Sequence, residues 1–472
     1  MPATATDYSI SRVRLGSRLP EVGVVLVTLI AGLIAALAPW WVAVGLILGS
    51  AVLALTVRDP LFGLLLTLAL ATQAIPGALI PNIPLGGAQI LPCEIALLMT
   101  LLSCFLNGVS GRRPFIDVHR DFVMTALLSY VALCVSIVVG KFYLGQNDFA
   151  FPVLRNFLPL AILPLLPSIL STRQRIVLVE NVFIAFGILI ALFIAIQAFT
   201  SISLLTGRLE DLGLNQTTGI TRTVLWGPEL LIILSLFLIG RHGLRYCLSH
   251  LWPIPAFVAL LLGLMGTYTR SFWVATAVAA ILLAVFAHGI KGSLRLATAV
   301  VPIVLLLGTM VFAMNPRIGE AAYERAFGIT QEIKSGESFG WRGKENSLAL
   351  ESIVKHPWLG IGFNGAYKPA ISIHGHFEGE EIYIHNAYLY FQLKMGLLGS
   401  AVLTVFLSLY LRLSWSALAI ADRHDRTSAL SYVVLGLVVM MIGYSGQTIS
   451  RFVTLLIVCL MFTLMKFYAQ RH

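Results

Sequence analysis

The chain has 472 residues, 58% of them hydrophobic and 11% charged, with a mean hydropathy of +0.88. A soluble domain carries about 25% charged residues, so the composition excludes an ordinary soluble enzyme and fits an integral membrane protein. The net charge of +10 belongs with basic loops between spans, since no basic soluble segment exists to carry nucleic-acid binding.

Arg12, Arg14 and Arg18 precede an apolar run, a signal-like pattern in which Ala36-Leu37-Ala38 offers a cleavage site. Pro39 follows at once and apolar sequence continues, so the run reads as an uncleaved first span behind a cytoplasmic tail, residues 1–21. Apolar runs then mark spans near 22–38, 40–57, 61–76, 92–106, 121–140, 152–170, 176–200, 224–240, 252–268, 271–288, 295–314, 386–412, 428–445 and 451–468. The expected fold is an all-α polytopic membrane protein with about fourteen (12–14) transmembrane helices. A transmembrane bundle over 22–314 leads into one long segment, 315–384, and the last spans follow over 385–472. The five cysteines (Cys93, Cys104, Cys134, Cys247, Cys459) form no C-x-x-C pair and read as small buried apolar side chains.

Charge placement tests this arrangement. With the N-terminus inside, alternation puts 18 of the 32 Lys and Arg on inner segments, seven on outer ones and seven in the long segment. Long segments are largely exempt from the charge bias, so the split supports cytoplasmic termini and an outer, periplasmic 315–384. A basic residue held at an outer span edge runs against that bias and asks for a partner. Arg222, Arg270 and Arg451 stand there.

Two outer segments differ in character. Residues 76–92 are rich in proline and glycine yet apolar, a loop packed at the membrane surface, whereas 201–223 is polar and ends in Thr221-Arg222-Thr223. Within 315–384, Phe339 to His356 forms an amphipathic helix of the interfacial kind, with Trp341, Leu348 and Ile353 on one side and Lys344, Glu345 and Glu351 nearer the other. Pro357 ends it. The glycines of Gly360-Ile361-Gly362-Phe363-Asn364-Gly365 read as a turn rather than a phosphate loop, because no strand precedes and no Lys-Ser/Thr pair follows.

Candidate chemistry gathers at the outer face. His385 opens the span from 386 and shares its expected face with Tyr388, Leu389 and Gln392. An imidazole there suits a general base, or equally an interfacial anchor. Arg222 and Glu229 lie seven residues apart, on one face if helical, as a structural ion pair or an anion-binding group. Arg270, in the tight Tyr268-Thr269-Arg270-Ser271 step, is a headgroup anchor or, with Arg222, a bidentate clamp on a diphosphate. His374-x-His376 with Glu378, Glu380 and Glu381 has the composition of a hydrated loop, and no metal site is assigned to it. Glu94 and Glu180 near span ends read as snorkelling carboxylates.

Taken together, Trp341-Arg342, then His356-Pro357-Trp358-Leu359-Gly360-Ile361-Gly362, His385-Asn386-Ala387-Tyr388-Leu389 and Gly396-Leu397-Leu398-Gly399 resemble the O-antigen ligase and polymerase superfamily. That family carries Arg and Trp, "hPllGvG", "HN-x-(Y/F)-L" and "GllG" in this order. Thr269-Arg270-Ser271, and Arg222 six residues ahead of Pro228, resemble its two upstream arginine positions. Ile384 stands where ligases often have a second polar residue.

The resemblance implies a metal-independent, cofactor-free glycosyltransferase of the membrane-embedded C type in the bacterial inner membrane. Its donor is an oligosaccharide on undecaprenyl pyrophosphate. Arg222 and Arg270 would bind the pyrophosphate and His385 would activate the acceptor hydroxyl, with Arg342, Arg451, Glu229, Tyr388 and Asn386 as candidate supporting residues. The expected partners are lipid-linked glycan as donor and acceptor, membrane lipid, and as a candidate a chain-length regulator protein. A polymerase of O-antigen or exopolysaccharide repeats is the first expectation, and a ligase acting on lipid A core or a protein is the second. A transporter of lipid-linked glycan is the third, disfavoured because the polar groups gather at one face rather than mid-membrane.

Overall fold

The computed structural model describes residues 40–80, 82–85, 88–110, 119–146, 151–200, 202, 204–205, 208–211, 221–225, 227–241, 249–250, 252–314, 316, 323, 339–369 and 381–470. The expected span at 22–38, the basic tail and the His374, His376, Glu378 and Glu380 group lie outside these. The helices are α1 Trp40–Arg58, α2 Pro60–Ala71, α3 Pro92–Val109, α4 Arg120–Val138, α5 Phe151–Asn156, α6 Leu166–Ile169 and α7 Arg173–Thr200, then α8 Glu229–Gly240, α9 Pro253–Gly266, α10 Arg270–Met314, α11 Phe339–Lys355, α12 Ala387–Leu418, α13 Arg423–Ser445 and α14 Phe452–Gln470. Two antiparallel hairpins accompany them, β1 Ile83–Leu85 with β2 Ala88–Ile90 and β3 Arg208–Asp211 with β4 Thr221–Val224.

Among the described residues, seven helices are long and apolar enough to cross a membrane, and shorter apolar helices accompany them. The protein is a mostly helical, multi-pass membrane protein. The expected amphipathic helix is α11, ended before Pro357. The pair expected at 271–288 and 295–314 runs together as α10, two helices that meet at a kink where Gly289 (φ 68°, ψ 172°) is not helical.

Two expected spans are corrected. Residues 152–170 form no continuous helix: α5, a 3-10 turn Leu158–Ala161 and α6 replace it. Pro152, Pro159, Pro164 and Pro167 remove backbone donors and clash with the preceding turns, which fragments the run. The span expected from 224 begins only at Glu229, because Gly227 (φ 147°) and Pro228 break the chain and residues 221–224 pair as β4.

The chain divides into two compact units, residues 1–66 with 95–117 and residues 67–94 with 118–472. In the first, Gly63 lets helices touch: a Cβ there would meet Thr100 Oγ1 at 2.4 Å. Ser103 Oγ donates to Thr56 O at 2.6 Å and Asn107 Nδ2 to Val57 O at 3.0 Å, the interhelical hydrogen bonding that joins spans where apolar burial alone offers little. In the second, α13 packs on α8, α10, α12 and α14, while α7 packs on α8 and α9. Residues 229–239 of α8 are buried all round.

Glu180 and Glu94 are not snorkelling, a second correction to the sequence reading. Glu180 is 1% exposed. It accepts from Arg241 Nη2 at 2.8 Å, Tyr432 OH at 2.9 Å and Tyr468 OH at 2.8 Å. Glu94 faces Arg155 Nε at 2.8 Å and accepts from Leu91 N at 2.9 Å, close to the start of α3. Arg241 also donates to Ser428, and Arg173 pairs with Asp425, so the α7, α8, α13 and α14 ends are pinned together. Glu180→Ala would leave the buried Arg241 without this carboxylate. It is expected to cost about 3–5 kcal/mol, read as a lower unfolding temperature and a lower membrane yield.

Candidate active site

The candidate residues collect at the opposite end of these helices. Arg423 at the start of α13 lies 3.2 Å from His288, one span along α10 from Arg270. The two helices therefore run antiparallel, and Arg270 sits at the end of α13 that carries Ser445. At that end a Cβ on Gly443 would lie 3.8 Å from Ala387 Cβ, next to His385. A Cβ on Gly227, five residues after Arg222, would meet Val453 Cβ at 2.8 Å, next to Arg451. His385, Arg270, Arg451 and the β4–α8 junction thus share one end of the bundle.

His385 precedes the helix rather than lying on it. Asn386 is the N-cap of α12, its side chain accepting from Tyr388 N at 3.0 Å and Leu389 N at 3.3 Å. The expected common face of His385 and Tyr388 is therefore corrected, and Asn386 has a capping role. Tyr388 OH donates to Met440 O at 2.7 Å, tying α12 to α13. Ile384, which precedes His385, is fully buried.

The group that touches His385 is Glu345, on α11. Its Oε2 lies 2.8 Å from His385 Nδ1 and accepts from His385 N at 3.0 Å, and its Oε1 lies 2.5 Å from Lys368 Nζ. The Glu345 side chain has no exposure, while that of His385 keeps 16%. Burial alone would push the Glu345 carboxyl up. The hydrogen bond and charge of His385, then Lys368, overcome it and hold the group at about 2. That value lies below the ordinary carboxyl range, so the contribution to stability is present above about pH 4.3 and lost as pH falls towards 2. An ionised carboxylate only accepts, so Nδ1 carries the imidazole proton. Nε2 has no hydrogen-bond partner among the described residues.

Glu345 was expected nearer the polar side of its helix, and this is corrected. At about 100° per residue it falls between Leu348 and Ala349, inside the apolar stripe. Lys368 and Lys394, both buried, were missed because only the tertiary fold brings them to the site. Tyr367 OH donates to Tyr383 O at 2.9 Å, and Tyr383 packs edge-on against His385 with ring centroids 4.9 Å apart. Burial, with the charge of Glu345, pushes the Tyr367 phenol up, so it stays neutral.

The glycine motifs interlock. Gly360 (φ 68°) and Gly396 (φ 59°) lie backbone to backbone. A Cβ on Gly360 would meet Lys394 C at 2.6 Å, and one on Gly396 would meet Trp358 O at 2.4 Å. Helix α12 is broken at Gly396, and the loop bonds to its opened carbonyls and amide: Ile361 N to Leu393 O at 2.9 Å, Gly362 N to Lys394 O at 3.2 Å and Leu397 N to Trp358 O at 3.1 Å. Lys394 Nζ donates to Gly365 O at 2.7 Å. From α4, Ser136 Oγ reaches Lys394 O at 2.8 Å, and from the segment after it Gln146 Nε2 reaches Ile361 O at 2.7 Å. The loop that carries Lys368 is thereby fixed to the helix that follows His385.

The arginines are less uniform. Arg270 is the first residue of α10, after a tight turn through Tyr268 (φ 46°). Arg342 lies one turn ahead of Glu345 on α11, and Arg451 follows the α13–α14 turn. Arg222 is on β4, in register opposite Glu210, so it shares no helical face with Glu229. Glu229 is a structural group: it accepts from Leu225 N at 2.6 Å and Gly227 N at 2.9 Å. Gln197 Nε2 donates to Thr223 Oγ1 at 2.8 Å and fixes β4 to the end of α7.

No curated protein matches the chain. Residues 255–404 match a protein-family model described as O-antigen ligase. The match runs from α9 into α12 and includes Arg270, Glu345, Lys368, His385 and the interlocked glycines. The matched stretch is thus the part of the chain that holds the His385 site, and it supports the resemblance of the chain to the O-antigen ligase and polymerase superfamily.

Proposed function

We propose that the protein is an inverting glycosyltransferase of the bacterial inner membrane that polymerises oligosaccharide repeat units carried on undecaprenyl pyrophosphate. The observation that carries this reading is the ionised Glu345 on Nδ1 of His385 with Nε2 open, beside a family match to glycan transfer. The carboxylate sets the tautomer and steadies the imidazolium that forms.

In the reaction, Nε2 of His385 takes the proton of an acceptor sugar hydroxyl as that oxygen attacks the anomeric carbon of the donor. A C–O bond forms and the bond from the anomeric carbon to the phosphate oxygen breaks. The electron pair leaves with the lipid pyrophosphate, a weak base that needs no general acid. Arg270 and Arg222 hold the growing negative charge in a site of reduced dielectric, and a single displacement inverts the anomeric centre. The active site faces the periplasm, with a chain-length regulator as a further partner.

The ligase reading keeps the same chemistry with lipid A core or a protein as acceptor, and the matched family model, described as O-antigen ligase, fits it equally. The test is the full chain in nanodiscs with undecaprenyl-pyrophosphate oligosaccharide as sole substrate, with and without a chelator. A ladder of longer lipid-linked glycans, lost in His385→Ala and Arg270→Ala, is the expected result. Transfer that appears only when lipid A core is added would make the protein a ligase, and transfer to no acceptor would refute both.

A further inference from the structure

Lys368 takes no part in the proposed chemistry, yet it is 8% exposed and its Nζ is 2.5 Å from Glu345 Oε1. A buried cation is costly, so its retention points to a use. The opposite oxygen of the same carboxylate meets His385 at both the backbone N–H and Nδ1. One carboxylate is therefore shared between a fixed cation and an imidazole that becomes a cation in the reaction.

The other titratable groups facing this trio are few among the described residues. Tyr367 presents its ring to both lysines, with Lys368 Nζ at 5.6 Å and Lys394 Nζ at 5.9 Å from its centroid. Tyr383 packs edge-on against His385. Arg342 stands one turn ahead on α11. Lys394 is turned to Gly365 O and holds the loop rather than the carboxylate.

The electrostatics follow from this geometry. A lone carboxylate at 2.8 Å from Nδ1 would stabilise the imidazolium strongly and make His385 slow to return its proton. A cation on the second oxygen offsets that pull while leaving the hydrogen bond that orients the ring. We infer that Lys368 is a positioning residue whose charge, held at the second oxygen of the carboxylate that orients Nδ1, opposes the imidazolium and so sets the basicity of His385. This rests on the reading of His385 as the base.

The test uses the full chain in nanodiscs with ¹³C-labelled histidine, the His385 signal being identified by its loss in His385→Gln. Initial rates of transfer from undecaprenyl-pyrophosphate oligosaccharide are measured over the same pH range. Lys368→Gln and Lys368→Met are expected to raise the midpoint of the His385 titration by roughly one pH unit. The acid limb of the rate profile should move with it, whereas Lys368→Arg should leave both near the wild type.

If the midpoint is unmoved in folded Lys368→Gln and Lys368→Met, Lys368 is merely structural and the inference is wrong. Should both fail to fold, the Glu345→Gln/Lys368→Gln double variant, which removes both buried charges, is compared with Glu345→Gln alone. The double is expected to titrate higher, and equality overturns the inference. The titration needs no turnover. A shifted midpoint without transfer to any acceptor would therefore uphold the Lys368–His385 coupling and refute the glycosyltransferase reading instead.

Discussion

Glu345→Gln is expected to lower the rate constant for glycan transfer by about 10²–10⁴-fold, with little change in donor binding. The substitution is nearly isosteric, so the packing of α11 survives and the loss falls on the chemistry. A glutamine amide beside Nδ1 can donate as well as accept. The imidazole then has no preferred tautomer, and a forming imidazolium has no counter-charge. An interaction made only in the transition state lowers kcat and kcat/KM together, and that is the pattern expected here. The measurement is steady-state transfer over a range of lipid-linked donor concentrations, with Glu345→Asp as a partial rescue. A Glu345→Gln enzyme with wild-type kcat would leave His385 working alone and remove the dyad from the mechanism.

How much of this could be read from the sequence depends on the range of the interaction. The helix start at His385-Asn386 and the tight step at Arg270 are local patterns, and they are where the motifs predicted them. Glu345 was within reach: the phase of the helix that places Leu348 and Ala349 inward places Glu345 between them. Its charge argued for the polar side, and the buried partners that overrule that argument, Lys368 and His385, lie 23 and 40 residues away. Glu180 shows the same failure. An acidic residue near a span end is ordinarily solvated, and only the fold brings Arg241, Tyr432 and Tyr468 around it.

The errors at 152–170 and at 222–229 are of another kind. Both came from hydropathy overriding proline and glycine chemistry that was visible in the sequence. Four prolines break the first run, and Gly227-Pro228 separates Arg222 from the helix that contains Glu229. The turn reading of the Gly360 segment, by contrast, held, because it was argued from what a phosphate loop needs and this segment lacks.

Gly396→Ala is expected to abolish transfer through the fold rather than through any contact with substrate. The residue has φ 59° and ψ −141°, a conformation that costs a residue with a Cβ about 1–3 kcal/mol. The added carbon would also press on Trp358 C and O at 2.4 Å and Gly360 N at 2.6 Å. Backbone atoms cannot swing aside as a side-chain tip can, and overpacking of this sort adds about 1–3 kcal/mol. Relief requires the Trp358–Gly362 segment to leave the opened turn of α12. The bonds of Ile361, Gly362 and Leu397 to that turn would go with it, along with the anchor from Lys394 to Gly365. Lys368 follows three residues later, so Glu345 would lose its fixed cation and His385 its fixed partner. Gly343→Ala on α11 is the control: a Cβ there meets nothing within 4 Å, and the change should be neutral or stabilising by up to about 1 kcal/mol. Thermal unfolding and transfer measured on both variants decide the matter. Wild-type transfer in Gly396→Ala would mean that the two glycine motifs do not hold the site together.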